Sequence, residues 1–283
     1  MAKYIVLYNP YSGNGTGETN AHKLDAVCPD DKLEYVDMTK VDYANLFASM
    51  DNMDSLIICG GDGTLNRFVN DTKATPCNHP IYCFPCGTGN DFLREVAGGQ
   101  NEKPVEISRY LTNLPTAKVK GKEYLFLNNV GFGIDGYCCQ VGDELRAAKA
   151  EKIDYTAIAI KGLLGKFKPC DAEVTVDGVK KSYRHCWLAP TMKGLYYGGG
   201  MMPTPEQDRL AEDHSVSVMV YCTGSKLAAL INFPNIFKGT HIKNKKMVEI
   251  FKGHSVHVKF SRPCAVQVDG ETILDVTEYE VKA

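Results

Sequence analysis

At 283 residues the chain is long enough for one large domain or two ordinary ones. Its 44% hydrophobic and 23% charged residues are the composition of a soluble globular protein. A formal net charge of -2 gives no reason to expect nucleic-acid binding, and no apolar run approaches the ~20 residues that a bilayer span needs.

Met1 leads straight into the strand-like run YIVLYNP, with no charged n-region or small-residue cleavage site, so the chain reads as cytosolic. Tyr4–Tyr8 is an apolar strand that ends in Asn-Pro-Tyr-Ser-Gly. Leu33–Asp37 reads as a strand, Tyr43–Met50 as a helix and Ser55–Cys59 as a second buried strand. Leu65–Asn70 has helical spacing, with Leu65, Phe68 and Val69 on one face. Ile81–Phe84 is a further strand, followed by a helix from about Asn90 to Ala97. Strands and helices alternating through short loops imply a mostly parallel sheet covered on both faces. From about Thr116 the texture changes to short alternating strands, with Gly121-Lys122 as a hairpin turn and a long helix expected from about Asp143 to Gly165. The expected organisation is an α/β domain with a mostly parallel sheet over 1–113 and a mainly antiparallel β domain over 114–283.

Three glycine-bearing loops fall after strands of the first domain: NPYSGNGTG, GGDGT and PCGTGND. In parallel α/β sheets ligands bind beyond the carboxyl ends of strands. Glycine admits close approach of a ligand, and backbone N–H groups at a following helix start bind anions. Three such loops on one edge point to a polyphosphate, while each taken singly reads as a tight turn. Neither a Walker lysine loop nor a Rossmann G-x-G-x-x-G opening a helix is present. Asp62 would repel phosphate directly. It fits by holding Mg²⁺, by acting on the attacking hydroxyl, or as a turn-stabilising hydrogen-bond acceptor. The 11 cysteines, an odd number, read as reduced thiols. Cys77, His79, Cys83 and Cys86 have a zinc-like spacing, but strand alternation sends Cys83 and Cys86 to opposite faces.

NPYSG, GGDGTLNRFVND and PCGTGNDFLREV resemble the diacylglycerol kinase catalytic-domain family, which includes bacterial lipid kinases and the sphingosine kinases. The resemblance continues through NNVGFGIDGYC, Tyr155, YYGGGMMPTP and VQVDGE, and so covers nearly the whole chain. GGDGT alone is shared with NAD kinases; GTGND followed by Phe-Leu-Arg favours the lipid-kinase branch. The resemblance implies that the second domain, 114–283, is a β-sandwich, that a nucleotide cleft lies between the two domains, and that ATP and Mg²⁺ are cofactors with a lipid hydroxyl as acceptor. It places Asn9, Pro10, Ser12, Gly13, Thr39, Gly60, Gly61, Asp62, Gly63, Thr64, Asn66 and Arg67 at the nucleotide. Gly87, Thr88, Asn90 and Asp91 complete that set. It puts Asp269 and Glu271 near the transferred phosphate, with Glu271 as the usual candidate proton acceptor. It also implies a structural Mg²⁺ at the Asp213 carboxylate and the Leu210 and Ser215 carbonyls. On its own spacing, Asp269-Gly270 is a hairpin turn.

Arg67 stands where the family usually has Glu, Asn14 where a lysine is common, and His214 and Ser217 where Gly and Asp are usual. Arg67 is compatible with a charge beside phosphate, with weakened catalysis, or with a solvent-facing helix position. The alternatives to a lipid kinase are an NAD-kinase-like enzyme with a soluble acceptor, a non-catalytic nucleotide or lipid sensor, and a globular α/β protein whose loops are only structural. Lys161–Pro169, KGLLGKFKP, is basic and apolar, and is a candidate contact with anionic lipid at the membrane's inner face. A homodimer is a candidate assembly.

Overall fold

The computed structural model describes residues 3–87, 90–99, 102–150 and 153–283, and for residue 14 the backbone alone. Thr88, one of the expected nucleotide contacts, lies outside the described residues. The chain divides into two compact units, Met1–Thr112 and Asn113–Ala283.

The first unit is built on strands β1 (Lys3–Tyr8), β2 (Lys32–Asp37), β3 (Ser55–Gly60), β4 (Ile81–Pro85) and β5 (Val105–Glu106), in the order β2-β1-β3-β4-β5. The first four pair in parallel, and β5 runs antiparallel to β4. All six residues of β3 are buried, which is why its sequence is apolar without alternation. Its helices are α1 (Ser12–Gly15), α2 (Gly17–Ala21), α3 (Leu24–Val27), α4 (Tyr43–Ser49), α5 (Asp62–Asp71) and α6 (Asp91–Ala97). Asp42 caps α4 by accepting the Asn45 N–H at 3.2 Å. Two segments expected as loop are helical. Single turns occupy much of NPYSGNGTG, and α5 begins at Asp62 itself.

In the second unit the sheet runs β12 (Val248–Gly253), β11 (Val216–Cys222), β10 (Val179–Met192), β8 (Asn129–Gly133), β13 (Ser255–Val268), β14 (Glu271–Lys282), β6 (Thr116–Val119) and β7 (Lys122–Leu125). Strand β9 (Cys170–Val176) pairs with β10 and β13, and every pairing is antiparallel. Phe132 and Phe260 stack at 3.7 Å inside this core. The hairpin turn between β6 and β7 is Lys120-Gly121, one residue earlier than expected, with φ of 50° and 79°. Positive φ at both central residues is the geometry that matches the twist of the flanking strands. Asp269-Gly270, between β13 and β14, has the same geometry at 46° and 92°.

The single long helix expected over 143–165 is instead two helices, α7 (Ile134–Ala147) and α8 (Tyr155–Lys161), followed by one wide turn at Gly162–Lys166. Helix α7 starts nine residues before Asp143, directly after Gly133. The glycines of NNVGFGIDG hide that start, yet Gly133 is what permits it. Its φ is 115°, and a Cβ there would lie 2.2 Å from the Trp187 carbonyl oxygen. Helix α7 ends where Lys149 turns left-handed at φ 57°, and Asp154 caps α8 through the Ala157 N–H at 2.9 Å. Helix α9 (Lys226–Asn232) is capped by Ser225 and packs on the Gly162–Lys166 turn. Among the described residues no helix is long and apolar enough to cross a membrane.

Candidate functional site

The carboxyl ends of β1, β3 and β4 release the three glycine loops, and the end of β2 releases Thr39. These strands are neighbours in one parallel sheet, so the loops share an edge. Asp62 joins two of them. One of its carboxylate oxygens accepts the Asp91 N–H and the other the Phe92 N–H, both at 2.9 Å. It therefore caps α6 from a different loop. Asn90, at the N-cap position, has φ 44° and makes no capping bond of its own.

The glycines let the loops touch. A Cβ on Gly87 would lie 2.7 Å from the Gly61 Cα, and one on Gly61 would lie 3.2 Å from the Gly87 Cα. Both would also crowd Asn90 Oδ1, at 3.0 and 3.3 Å. That oxygen is buried and has no hydrogen-bond partner among the described residues, while its amide nitrogen donates to the Gly87 carbonyl at 2.8 Å. A buried acceptor without a donor is rare in folded proteins. Gly63 is different: a Cβ there meets nothing within 4 Å. Packing does not require glycine at Gly63, and the first turn of α5 has no capping side chain, because Gly61 holds its N-cap. Free backbone N–H groups at a helix start are the kind of donors that anions take.

The other expected contacts hold the loops in shape. The Ser12 hydroxyl donates to the Asn9 carbonyl at 2.8 Å, and Asn9 Oδ1 accepts the Tyr11 N–H at 3.0 Å. Pro10 joins these residues, and Gly13 has φ 58°. The Thr39 hydroxyl donates to Asp37 at 2.7 Å, which holds that carboxyl below its usual range. Thr64 and Asn66 are buried, Thr64 against Gly60. Arg67 pairs with Asp71 at 3.2 Å one helical turn away, on an exposed face. The side chain of Asn14 lies outside the described residues.

The cysteine cluster does not gather. Cys83 is buried on the opposite side of β4 from Phe84 and Cys86, and His79 Nδ1 sits 3.2 Å from the Asp54 carbonyl. Among the described residues no group of three or more His, Cys, Asp or Glu side chains is placed to hold a metal ion.

In the second unit the β13–β14 turn carries Asp269 and Glu271, which have unlike surroundings. The Asp269 carboxylate is buried and accepts the N–H groups of Leu127, Asn128 and Asn129 at 2.6, 2.8 and 2.9 Å. Arg209, also buried, donates to the Leu127 carbonyl at 2.6 Å and to Asn128 Oδ1 at 2.9 Å, fixing the same segment. Glu271 opens β14, exposed, opposite Val268. Sequence reasoning missed the network behind this turn. Gln267 Oε1 accepts the Gly270 N–H at 2.8 Å, and its amide nitrogen reaches Asp135 at 3.4 Å. Asp135 is buried at the start of α7, and that burial pushes its carboxyl up to about 6.

The segment expected to hold a structural Mg²⁺ is hydrogen-bonded within itself. Asp213 accepts the Ser215 N–H and hydroxyl at 3.1 and 2.8 Å and faces the Lys252 ammonium at 3.5 Å. The Ser215 carbonyl accepts from Gln207, whose oxygen in turn accepts from the Ser217 hydroxyl at 2.6 Å. The lysine beside this exposed carboxylate disfavours a second cation there. His214 occupies a family glycine position and keeps positive φ, 55°.

Residues 3–119 match the diacylglycerol kinase catalytic domain, and residues 128–280 match the YegS C-terminal NAD kinase beta sandwich-like domain. The chain is 25% identical over 272 residues to a protein named diacylglycerol kinase from Mycobacterium tuberculosis, covering 92% of this chain and 85% of that one. It is 29% identical over 214 residues to a Staphylococcus epidermidis protein named "Putative lipid kinase", covering 70% and 67%. A solved structure titled as a diacylglycerol kinase of Bacillus anthracis, so described as "putative", superposes with a TM-score of 0.66 at 24% identity. It covers 99% of this chain and 91% of that one.

Two outcomes follow from these carboxylates. Asp62→Asn turns one acceptor into an amide facing a backbone N–H, and is expected to destabilise the first unit by about 1–2 kcal/mol, read in denaturant unfolding. An unchanged midpoint would show that Asp62 does not cap α6. Asp135, with its folded value raised to about 6, loses stability as pH rises from the unfolded value near 4 to about 6, and the loss is complete above that. Asp135→Asn is therefore expected to raise Tm most above pH ~6 and to give no gain below pH ~4. A pH-independent difference would contradict the assignment.

Proposed function

Because the chain belongs to the diacylglycerol kinase catalytic-domain family, we propose that it transfers the γ-phosphoryl group of ATP to a hydroxyl of a diacylglycerol-like lipid. The observation that carries the reading is the first unit's loop edge: an uncapped helix start, open space at Gly63 and an unpartnered acceptor at Asn90. Backbone donors there take phosphate oxygens, and the loops fix the polyphosphate without moving.

The residues at this edge fit Mg²⁺. Asp62 supplies a carboxylate, the oxygen type Mg²⁺ prefers, and Asn90 Oδ1 adds a neutral oxygen. When bound, the ion neutralises charge on the phosphates. Asp62 is then mainly a positioning residue whose clamp keeps the GGDGT and GTGND loops in register.

The two late carboxylates divide the work. Three N–H groups already bond Asp269, so it shapes the turn rather than accepting a proton. Glu271 has no such bonds among the described residues and is the base. It takes the proton of the lipid hydroxyl as the bond to phosphorus forms. The large apolar side chains left exposed on the second unit support a lipid acceptor. Leu164, Leu227 and Ile231 are 64%, 66% and 64% exposed, near Lys161 and Lys226. We read them as a peripheral contact with the membrane's inner face.

Incubation with labelled ATP and a panel of diacylglycerol, sphingoid base, undecaprenol and phosphatidylglycerol is expected to label one of these lipids. Glu271→Gln should lower kcat roughly 10²–10⁴-fold with ATP affinity kept. Asp269→Asn should instead lower Tm, because buried N–H groups lose a charged acceptor, at a cost of about 1–3 kcal/mol each. No labelled lipid together with no ATP binding would overturn the reading. Equal kcat for Glu271→Gln and wild type would remove Glu271 alone.

A further inference from the structure

The second unit contains a cavity of about 480 Å³ that the proposed transfer does not use. It lies between α7, the turn after α8 and the β13–β14 hairpin. Two irregularities in that hairpin shape it. The ladder pairs Lys259 with Glu278, Cys264 with Val276 and Val266 with Ile273, so residues 260–263 bulge from β13 and 274–275 from β14. The bulges bring Arg262 and Leu274 to the cavity wall. Ala265, also in the wall, precedes Asp269 by four residues on an extended strand, roughly 13 Å away. The cavity is thus a separate place from the Glu271 turn.

Its chemistry is two-sided. Tyr137, Phe167 and Leu274 supply an apolar and aromatic wall. Lys166, Lys168 and Arg262 supply cations, and Asp275 is the one lining carboxylate, leaving a balance of three positive to one negative. None of the three cations forms an ion pair among the described residues. Arg262 is also held in place: its guanidinium donates to the Lys168 carbonyl and stands 5.8 Å from the Phe167 ring centroid. A guanidinium held over a ring, in a wall that two lysines also line, suits an oxyanion with several oxygens. The net charge of the lining matches a phosphomonoester, which carries about -1.5 to -2 near neutral pH. The volume is within the ~300–1,000 Å³ of small-molecule sites.

We propose that this cavity binds an amphiphilic phosphomonoester, with its phosphate on Lys166, Lys168 and Arg262 and its apolar chain against Tyr137, Phe167 and Leu274. The inference does not depend on the transfer reaction.

Octyl phosphate, used below its micellar concentration, tests it. It has no alcohol hydroxyl to be phosphorylated, and the variants of the cavity wall distinguish its binding here from binding at the transfer site. Calorimetry on the full chain should show saturable binding. Lys166→Gln with Lys168→Gln should weaken it by about tenfold or more, and so should Arg262→Gln. Inorganic phosphate should bind at least about tenfold more weakly than octyl phosphate, because it lacks the chain. Octyl glucoside, with the chain and no charge, should not compete. Wild-type binding by both variants would overturn the proposal, as would no saturable binding. So would inorganic phosphate or octyl glucoside binding as tightly as octyl phosphate. The lysines are exposed, so their loss leaves the fold intact, and circular dichroism checks this.

Discussion

The carboxylate of Asp62 is the interaction on which the loop edge depends. Each of its oxygens accepts one backbone N–H of α6, so a side chain on one loop caps the helix that follows another. Charge-assisted bonds of this kind are about twice as strong as neutral ones and are rigid in direction. They explain how Asn90 can sit left-handed and uncapping with its amide oxygen unpartnered: the helix start it precedes is already satisfied from elsewhere. They also explain the glycines. With the loops drawn together at Gly61 and Gly87, a methyl on either would strike the other's backbone or crowd Asn90.

The second unit repeats the device. Asp269 draws the N–H groups of 127–129 onto the β13–β14 turn, and Gln267 secures the turn from behind through the Gly270 N–H. In both units the acid that stands out in the motif accepts backbone N–H groups of a segment distant in sequence. On the proposed reading the proton transfer falls to Glu271. A motif acid is therefore not by that fact the reacting acid. Its hydrogen bonds decide which it is.

The alternation of strand, glycine loop and helix was legible in the sequence because β3 and its neighbours are buried on both faces and so are uniformly apolar. The Asp269-Gly270 turn was legible because positive φ at both positions favours that pair. Other features were not. The start of α7 follows Gly133 without a polar cap, and the break near Lys149 falls in a charged stretch that reads as helix. The capping role of Asp62 links residues about thirty positions apart, and no local pattern records it. Arg67 looked notable as a departure from the family, yet its partner is Asp71 on the same exposed face. The Asp135–Gln267 network and Arg209 were invisible because their meaning lies wholly in burial and long-range contact.

The central claim is that the glycine edge is shaped for a nucleotide and not only for its own packing. Gly63 separates the two, since its Cβ direction is empty and it sits inside α5. Gly63→Ala should stabilise the helix by roughly 0.5–1 kcal/mol, because alanine loses less backbone entropy than glycine there. On the proposed reading the same methyl stands where the phosphates approach. Calorimetric titration with ATP and Mg²⁺, beside thermal unfolding of the same variant, is the direct measurement. The account predicts a higher Tm together with weakened ATP binding. A higher Tm with ATP binding unchanged would contradict it, leaving the loops as packing alone.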